Sequence, residues 1–144
     1  MRLLEVTDPA ALRALAAAAE HVDPAARCNA AAVEAGELHL TVPSIEALGE
    51  YAARDDHVIL AVGTPKRVHG FAVVKTDGRI RWLVLDDSLS KAASLVASRM
   101  IFEECFARFG ACFGRVGHEG LRDRLVEGLD EVKLDDDGLL RWRP

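Results

Sequence analysis

The sequence predicts an α+β domain with α/β layering, on three observations. Three apolar runs, residues 57–62, 68–75 and Ile80–Leu85, follow one another with only short polar breaks, which is the pattern of an antiparallel meander. A long helix, expected from about Leu89 to Phe109, comes directly after them. A fourth apolar run at 111–117 follows that helix. A strand–helix–strand order of this length favours a parallel pairing of 111–117 with Ile80–Leu85 at the centre of a mixed sheet, through a right-handed crossover.

The chain begins with an expected strand at 1–6. Thr7-Asp8-Pro9 is a helix start, with a capping side chain and a proline near the first helical position, so 10–20 is expected to be helical with Leu12 and Leu15 inward. Asp23-Pro24 repeats that signal, and a second helix over 25–35 would close at Gly36. The tract is alanine-rich but patterned, and alanine has the highest helix propensity. Residues 37–42 alternate weakly as a strand that Pro43 ends, and Ser44 opens a helix running to about Arg54. Residues 57–62 (His-Val-Ile-Leu-Ala-Val) are rich in β-branched side chains. Residues 63–67 turn the chain into 68–75, and Asp77-Gly78 is a hairpin signal leading into Ile80–Leu85.

The long helix is expected to carry the polar residues Lys91, Arg99, Glu103, Glu104 and Arg108 on one narrow ridge. Leu89, Ala92, Ala93, Val96, Met100, Phe102, Cys105, Phe106 and Phe109 cover the rest, so most of its circumference is expected to be buried. Asp86-Asp87-Ser88 supplies N-cap side chains, and Gly110 takes the left-handed position beyond the last turn. Past the 111–117 strand, 119–129 is a short amphipathic helix with Leu121, Leu125 and Leu129 spaced by four. Residues 131–134 and 139–142 form a closing hairpin around Asp135-Asp136-Asp137-Gly138.

The totals narrow the function classes. With 144 residues one domain, 1–144, with a substantial core is expected. Eighteen basic residues against 23 acidic ones give a net charge of −5 without a basic cluster, which speaks against nucleic acid as a partner. No uncharged apolar stretch approaches the roughly 18 residues a membrane span needs. The N-terminus lacks a signal-peptide pattern, and Cys28, Cys105 and Cys112 contain no Cys-x-x-Cys pair, so a cytoplasmic setting with free thiols is expected. His21, His39, His57, His69 and His118 show no metal-type spacing, and no metal is expected.

This order of strand, helices, three-strand meander, long helix, strand, short helix and hairpin resembles the acyl-CoA-dependent N-acyltransferase (GNAT) superfamily over nearly the whole chain. Small, divergent acetyltransferase-like proteins of tailed phages are similar in length and in their weak cofactor signature. The family's pyrophosphate loop, Gln/Arg-x-x-Gly-x-Gly/Ala, corresponds to Leu89-Ser90-Lys91-Ala92-Ala93-Ser94, in which Leu89 stands at the first position and Ala92 and Ser94 replace the glycines. The resemblance implies acetyl-CoA, or another acyl-CoA, as cofactor. It would be held at Leu85, Asp86, Lys91, Ala92, Ala93 and Ser94, mostly through backbone N–H groups at the helix start, where the dipole also favours an anion. It implies an amine-bearing small molecule or protein as acceptor, and a homo-oligomer is compatible with it.

The chemistry needs a base for the amine and an acid for the leaving thiolate. His118, at the end of the 111–117 strand, and Glu119 beside it are the candidate bases; each also suits a plain helix start. The family's tyrosine acid, four residues before a Gly-aromatic pair, maps onto Arg124 through Gly128-Leu129. The sole tyrosine, Tyr51, lies elsewhere. Two alternatives therefore stand beside an acyltransferase: a protein of the same fold that has lost catalysis and serves binding or assembly, and an unrelated α+β interaction domain.

Overall fold

The computed structural model describes residues 1–6, 11, 15, 28–29, 45–64, 67–86, 88–115 and 119–144. The elements are β1 (Arg2–Glu5), β2 (Cys28–Asn29), α1 (Ile45–Ala52), β3 (His57–Thr64), β4 (Arg67–Lys75) and β5 (Ile80–Leu85). They continue with α2 (Lys91–Phe109), β6 (Phe113–Gly114), α3 (Glu119–Gly128), β7 (Val132–Leu134) and β8 (Leu140–Trp142). Ala11 and Leu15 are helical, as expected for 10–20. The rest of that helix and the expected strand at 37–42 lie outside the described residues.

The meander forms as its turn residues require. β3, β4 and β5 pair antiparallel in succession, β1 adds to β3, and the five-strand order is β1-β3-β4-β5-β2. At Asp77-Gly78 the chain reverses with Gly78 at φ 95°, the Gly78 N–H donating to the Lys75 carbonyl and the Arg79 N–H to Asp77 Oδ1. The central strands read as continuous apolar runs because both of their faces are covered. Leu60, Val62, Ala72, Val74, Leu83 and Leu85 pack with Ala97, Ile101, Phe102 and Cys105 of α2. Ile59, Ala61, Phe71, Val73, Trp82 and Val84 pack on the other face with Leu15 and with Leu48 of α1.

The long helix begins two residues later than expected. Ser90, not the Asp86–Ser88 stretch, is its N-cap, and Gly110 at φ 72° closes it, donating its N–H to Phe106 O. Its buried stripe is Ser94, Ala97, Ser98, Ile101, Phe102 and Cys105, spaced by three and four along one face. Val96, expected inward, is 51 % exposed, and Ala92 is exposed as well. Two serines take the inward positions instead. Each returns its hydroxyl proton to the helix backbone, Ser94 Oγ to Lys91 O at 2.8 Å and Ser98 Oγ to Ser94 O at 2.9 Å, so neither is left unsatisfied.

Two expectations are corrected. Within the helix expected over 25–35, Cys28 and Asn29 are extended and pair antiparallel with Leu83 and Trp82 of β5; a strand edge that offers main-chain partners outweighs helix propensity there. Among the described residues the 111–117 strand is Phe113–Gly114, and its expected parallel pairing with β5 is one bridge, from Arg79 just before β5 to Phe113. β6 pairs instead with β8, in a separate sheet of order β6-β8-β7. The closing hairpin is as expected: the Asp135 N–H donates to Leu139 O, and Gly138 at φ 83° turns the chain.

Candidate functional site

The candidate site lies where β5 hands over to α2 and where β5 and β6 part. β5 and β6 touch closely at one end. The Phe113 N–H donates to Gly78 O at 3.0 Å, and Gly114 lies so near Ile80 that a β-carbon would stand 3.0 Å from the Ile80 carbonyl. Beyond this contact no ladder joins the two strands among the described residues. The gap between the sheets holds an apolar pocket of about 40 Å3, lined among others by Ile80, Leu83, Phe102, Cys112, Gly114, Leu121, Leu125 and Trp142. That is room for a few waters or the end of a short hydrocarbon group.

Two arginines at the pocket wall are already engaged. Arg115 Nη1 donates to Asp137 O at 2.8 Å, and Arg141 is paired with Asp135. Arg99, from α2, ties the helix to the second sheet: its Nη1 donates to Glu131 Oε1 at 2.5 Å and its guanidinium stands 5.6 Å from the Trp142 ring centroid. This bond holds the Glu131 carboxyl below its ordinary range and raises Arg99.

The turn above β5 is built around Asp86. Its carboxylate is buried and accepts from the Ser88 N–H at 2.9 Å, the Ser88 hydroxyl at 2.8 Å, and Arg67 Nη2 at 2.7 Å and Nε at 3.2 Å. Its own N–H donates to His69 O. Burial pushes the carboxyl up; the Ser88 N–H, Arg67 and the Ser88 hydroxyl outweigh it and hold the group below its ordinary value. Arg67 was not singled out from the sequence, yet the signal was there. Extending the Asp77-Gly78 hairpin register pairs Gly70 with Leu85, which sets Arg67 near Asp86.

The sequence-predicted cofactor residues divide. Leu85 is buried in the core, and Asp86 presents a carboxylate already satisfied by the protein. Ser94 is buried, its N–H on Ser90 O, and Ala93 gives its N–H to the Ser90 hydroxyl at 3.1 Å. Lys91 and Ala92 stay exposed on the first turn of α2, which carries no acidic residue. Those two fit an anionic group, Lys91 through its charge and both at the positive end of the helix. Asp86, Ala93 and Ser94 do not offer free donors.

Of the two candidate bases, His118 lies outside the described residues, and Glu119 is the first residue of α3. Tyr51 is remote from the gap, its ring 5.0 Å from that of His57 at the start of β3. Cys112 lines the pocket as a free thiol, but hydrogen bonding with the Cys105 thiol and its own burial push it well up, so it stays protonated and is a poor nucleophile. The Trp82 indole N–H is buried and has no hydrogen-bond partner among the described residues.

Among the described residues no group of three or more His, Cys, Asp or Glu side chains converges as metal ligands, and no helix is long and apolar enough to cross a membrane. Set against known proteins, the chain matches no family model. No curated protein is similar to it in sequence.

Proposed function

We propose that this chain is a divergent GNAT-type protein that takes an acyl-CoA at the gap between β5 and β6 and transfers the acyl group to an amine. The observation that supports this reading is the strand arrangement. A β1-β3-β4-β5 meander and a β6-β8-β7 sheet meet in parallel at Arg79 and Phe113 and part beyond Gly114, and α2 starts at the open end of β5. A gap of this kind can position an elongated thioester beside an acceptor, and positioning supplies much of the rate in acyl transfer. When bound, an acyl-CoA would bring the activated thioester. Lys91 and the first-turn backbone at Lys91 and Ala92 are the residues to hold its phosphates, and His118 or Glu119 would take the proton of the amine.

Calorimetric titration with acetyl-CoA tests the proposal. Micromolar binding is expected in the intact chain and its loss in a Lys91→Glu, Ala92→Asp variant. No heat at millimolar cofactor overturns it.

A specific observation favours a second reading, in which the same fold serves binding or assembly without catalysis. Ser90 Oγ takes the Ala93 N–H, the Asp86 carboxylate sits beside the loop, and β2 runs along the β5 edge. Each of these occupies something a cofactor would use. A null titration together with an intact fold is the result this reading expects.

A further inference from the structure

The apolar pocket sits at the closed end of the gap, where β5 and β6 touch. Ile80 and Gly114, which meet there, both belong to its wall. Phe102 of α2, Leu125 of α3 and Trp142 of β8 close it from behind, and all five residues are buried. The half-buried members Phe113, Arg115 and Arg141 lie on its side toward the surface.

This pocket has little to offer a polar group. Arg115 Nη1 donates to Asp137 O, and the Arg141 head is paired with Asp135, so it is their aliphatic stems that line the wall. Cys112 is a protonated thiol there and acts as a small hydrophobe. A water inside would lack the two to four polar partners it needs. The volume of about 40 Å3 equals roughly three water-sized groups, and a methyl or methylene group is of that size. An aromatic ring is too large, since a benzene-binding cavity holds on the order of 150 Å3. What fits is the end of an aliphatic chain of roughly three carbons.

The position of the pocket says which part of a ligand reaches it. Lys91 and Ala92 start α2 beyond the Leu85 end of β5, whereas the pocket lies at the Ile80 end. Along the strand these ends are roughly 17 Å apart. A long ligand with phosphates at the start of α2 therefore brings its far end to the pocket. In an acyl-CoA that far end is the acyl group.

We infer that the pocket is an acyl-chain site sized for a butyryl group, with three carbons beyond the carbonyl, so that the acyl group this chain carries is larger than acetyl. An acetyl group would leave most of the pocket empty. The inference rests on the acyl-CoA reading and adds to it the identity of the group transferred.

The test is calorimetric titration of the full chain with acetyl-, propionyl-, butyryl- and hexanoyl-CoA. Each methylene that enters the pocket should tighten binding about fourfold, so butyryl-CoA is expected to bind more than tenfold tighter than acetyl-CoA, with no further gain for hexanoyl-CoA. Two variants change the pocket in opposite directions. Cys112→Met fills it and should bring butyryl-CoA within about twofold of acetyl-CoA. Val132→Ala enlarges it and should extend the gain to hexanoyl-CoA; it also serves alone where circular dichroism shows that Cys112→Met does not fold. Equal binding of acetyl- and butyryl-CoA by the unaltered chain overturns the acyl-chain site and leaves the acyl-CoA reading standing. A gain with chain length that the variants leave unchanged also overturns the site, since the chain would then lie elsewhere. No binding of any of the four at millimolar concentration overturns the acyl-CoA reading and the site with it.

Discussion

Two glycines with left-handed backbones should respond very differently to the same substitution. Gly78 (φ 95°) turns the β4–β5 hairpin and Gly110 (φ 72°) ends α2. An alanine at either position carries the left-handed penalty of roughly 1–2 kcal/mol, offset by about 0.4–1 kcal/mol because alanine restricts the unfolded chain more than glycine does. At Gly110 nothing lies within 4 Å of the new β-carbon, so Gly110→Ala should cost about 1 kcal/mol. At Gly78 the β-carbon would meet the Ala111 carbonyl oxygen at 2.3 Å and its carbon at 2.6 Å. Both are backbone atoms, held by the α2–β6 junction, and neither can rotate aside.

Relief requires Gly78 and Ala111 to separate by about 1 Å, which loosens the Phe113 N–H bond to Gly78 O that joins the two sheets. Overpacking of this kind costs roughly 1–3 kcal/mol, so Gly78→Ala should lose about 3 kcal/mol in total. For a domain of this size that is on the order of 10 °C in Tm, against about 3 °C for Gly110→Ala. Urea denaturation followed by far-ultraviolet circular dichroism, with the slope m checked for constancy, measures both. Equal losses in the two variants would refute the close approach of hairpin and junction on which the described gap is built.

Three other outcomes are expected. Asp86→Asn should destabilise the protein at neutral pH. Because the folded carboxyl lies below its ordinary value of 3.8, its contribution is complete above that value and fades as pH falls through the folded one; the difference between wild type and variant, followed by melting from pH 7 to pH 3, should shrink below about pH 4. Ser90→Ala removes the acceptor of the Ala93 N–H and should cost about 1 kcal/mol in urea titrations. Leu125, 1 % exposed between α3 and the pocket, should cost about 3 kcal/mol on replacement by alanine in the same assay, the lost transfer energy and the enlarged cavity adding together.

The elements that were legible in the sequence are those whose own residues dictate them. Ile80–Leu85 is apolar on both faces and bounded by Asp77-Gly78 and Asp86, and its observed limits are the expected ones. Gly110 ends α2 because the left-handed position costs glycine nothing. What stayed hidden depends on partners far along the chain. The two residues of β2 carry no strand signal and are extended because β5 has an open edge. Val96 looks like a core residue on composition, yet the stripe through Ser94, Ala97, Ser98 and Ile101 turns it outward. At the site, Lys91 and Ala92 were legible as a helix start. Ser90 and Asp86 take donors only three and two residues away, which their residue types allow but do not dictate, and Arg67 is reached only by extending the β4–β5 register from the hairpin turn.

The division of ladders along the chain has a consequence for shortened forms of this protein. Among the described residues, the pairings of the five-strand sheet lie within residues 2–85 and those of the smaller sheet within 113–142. A polypeptide ending at Gly110, whether a ribosome-bound nascent form or a protease product, would keep every ladder of the larger sheet. It would lack the cover that Leu121, Leu125, Leu140 and Trp142 provide for Phe102 and its neighbours. Such a fragment should therefore be ordered yet adhesive, prone to self-association until its last segment docks.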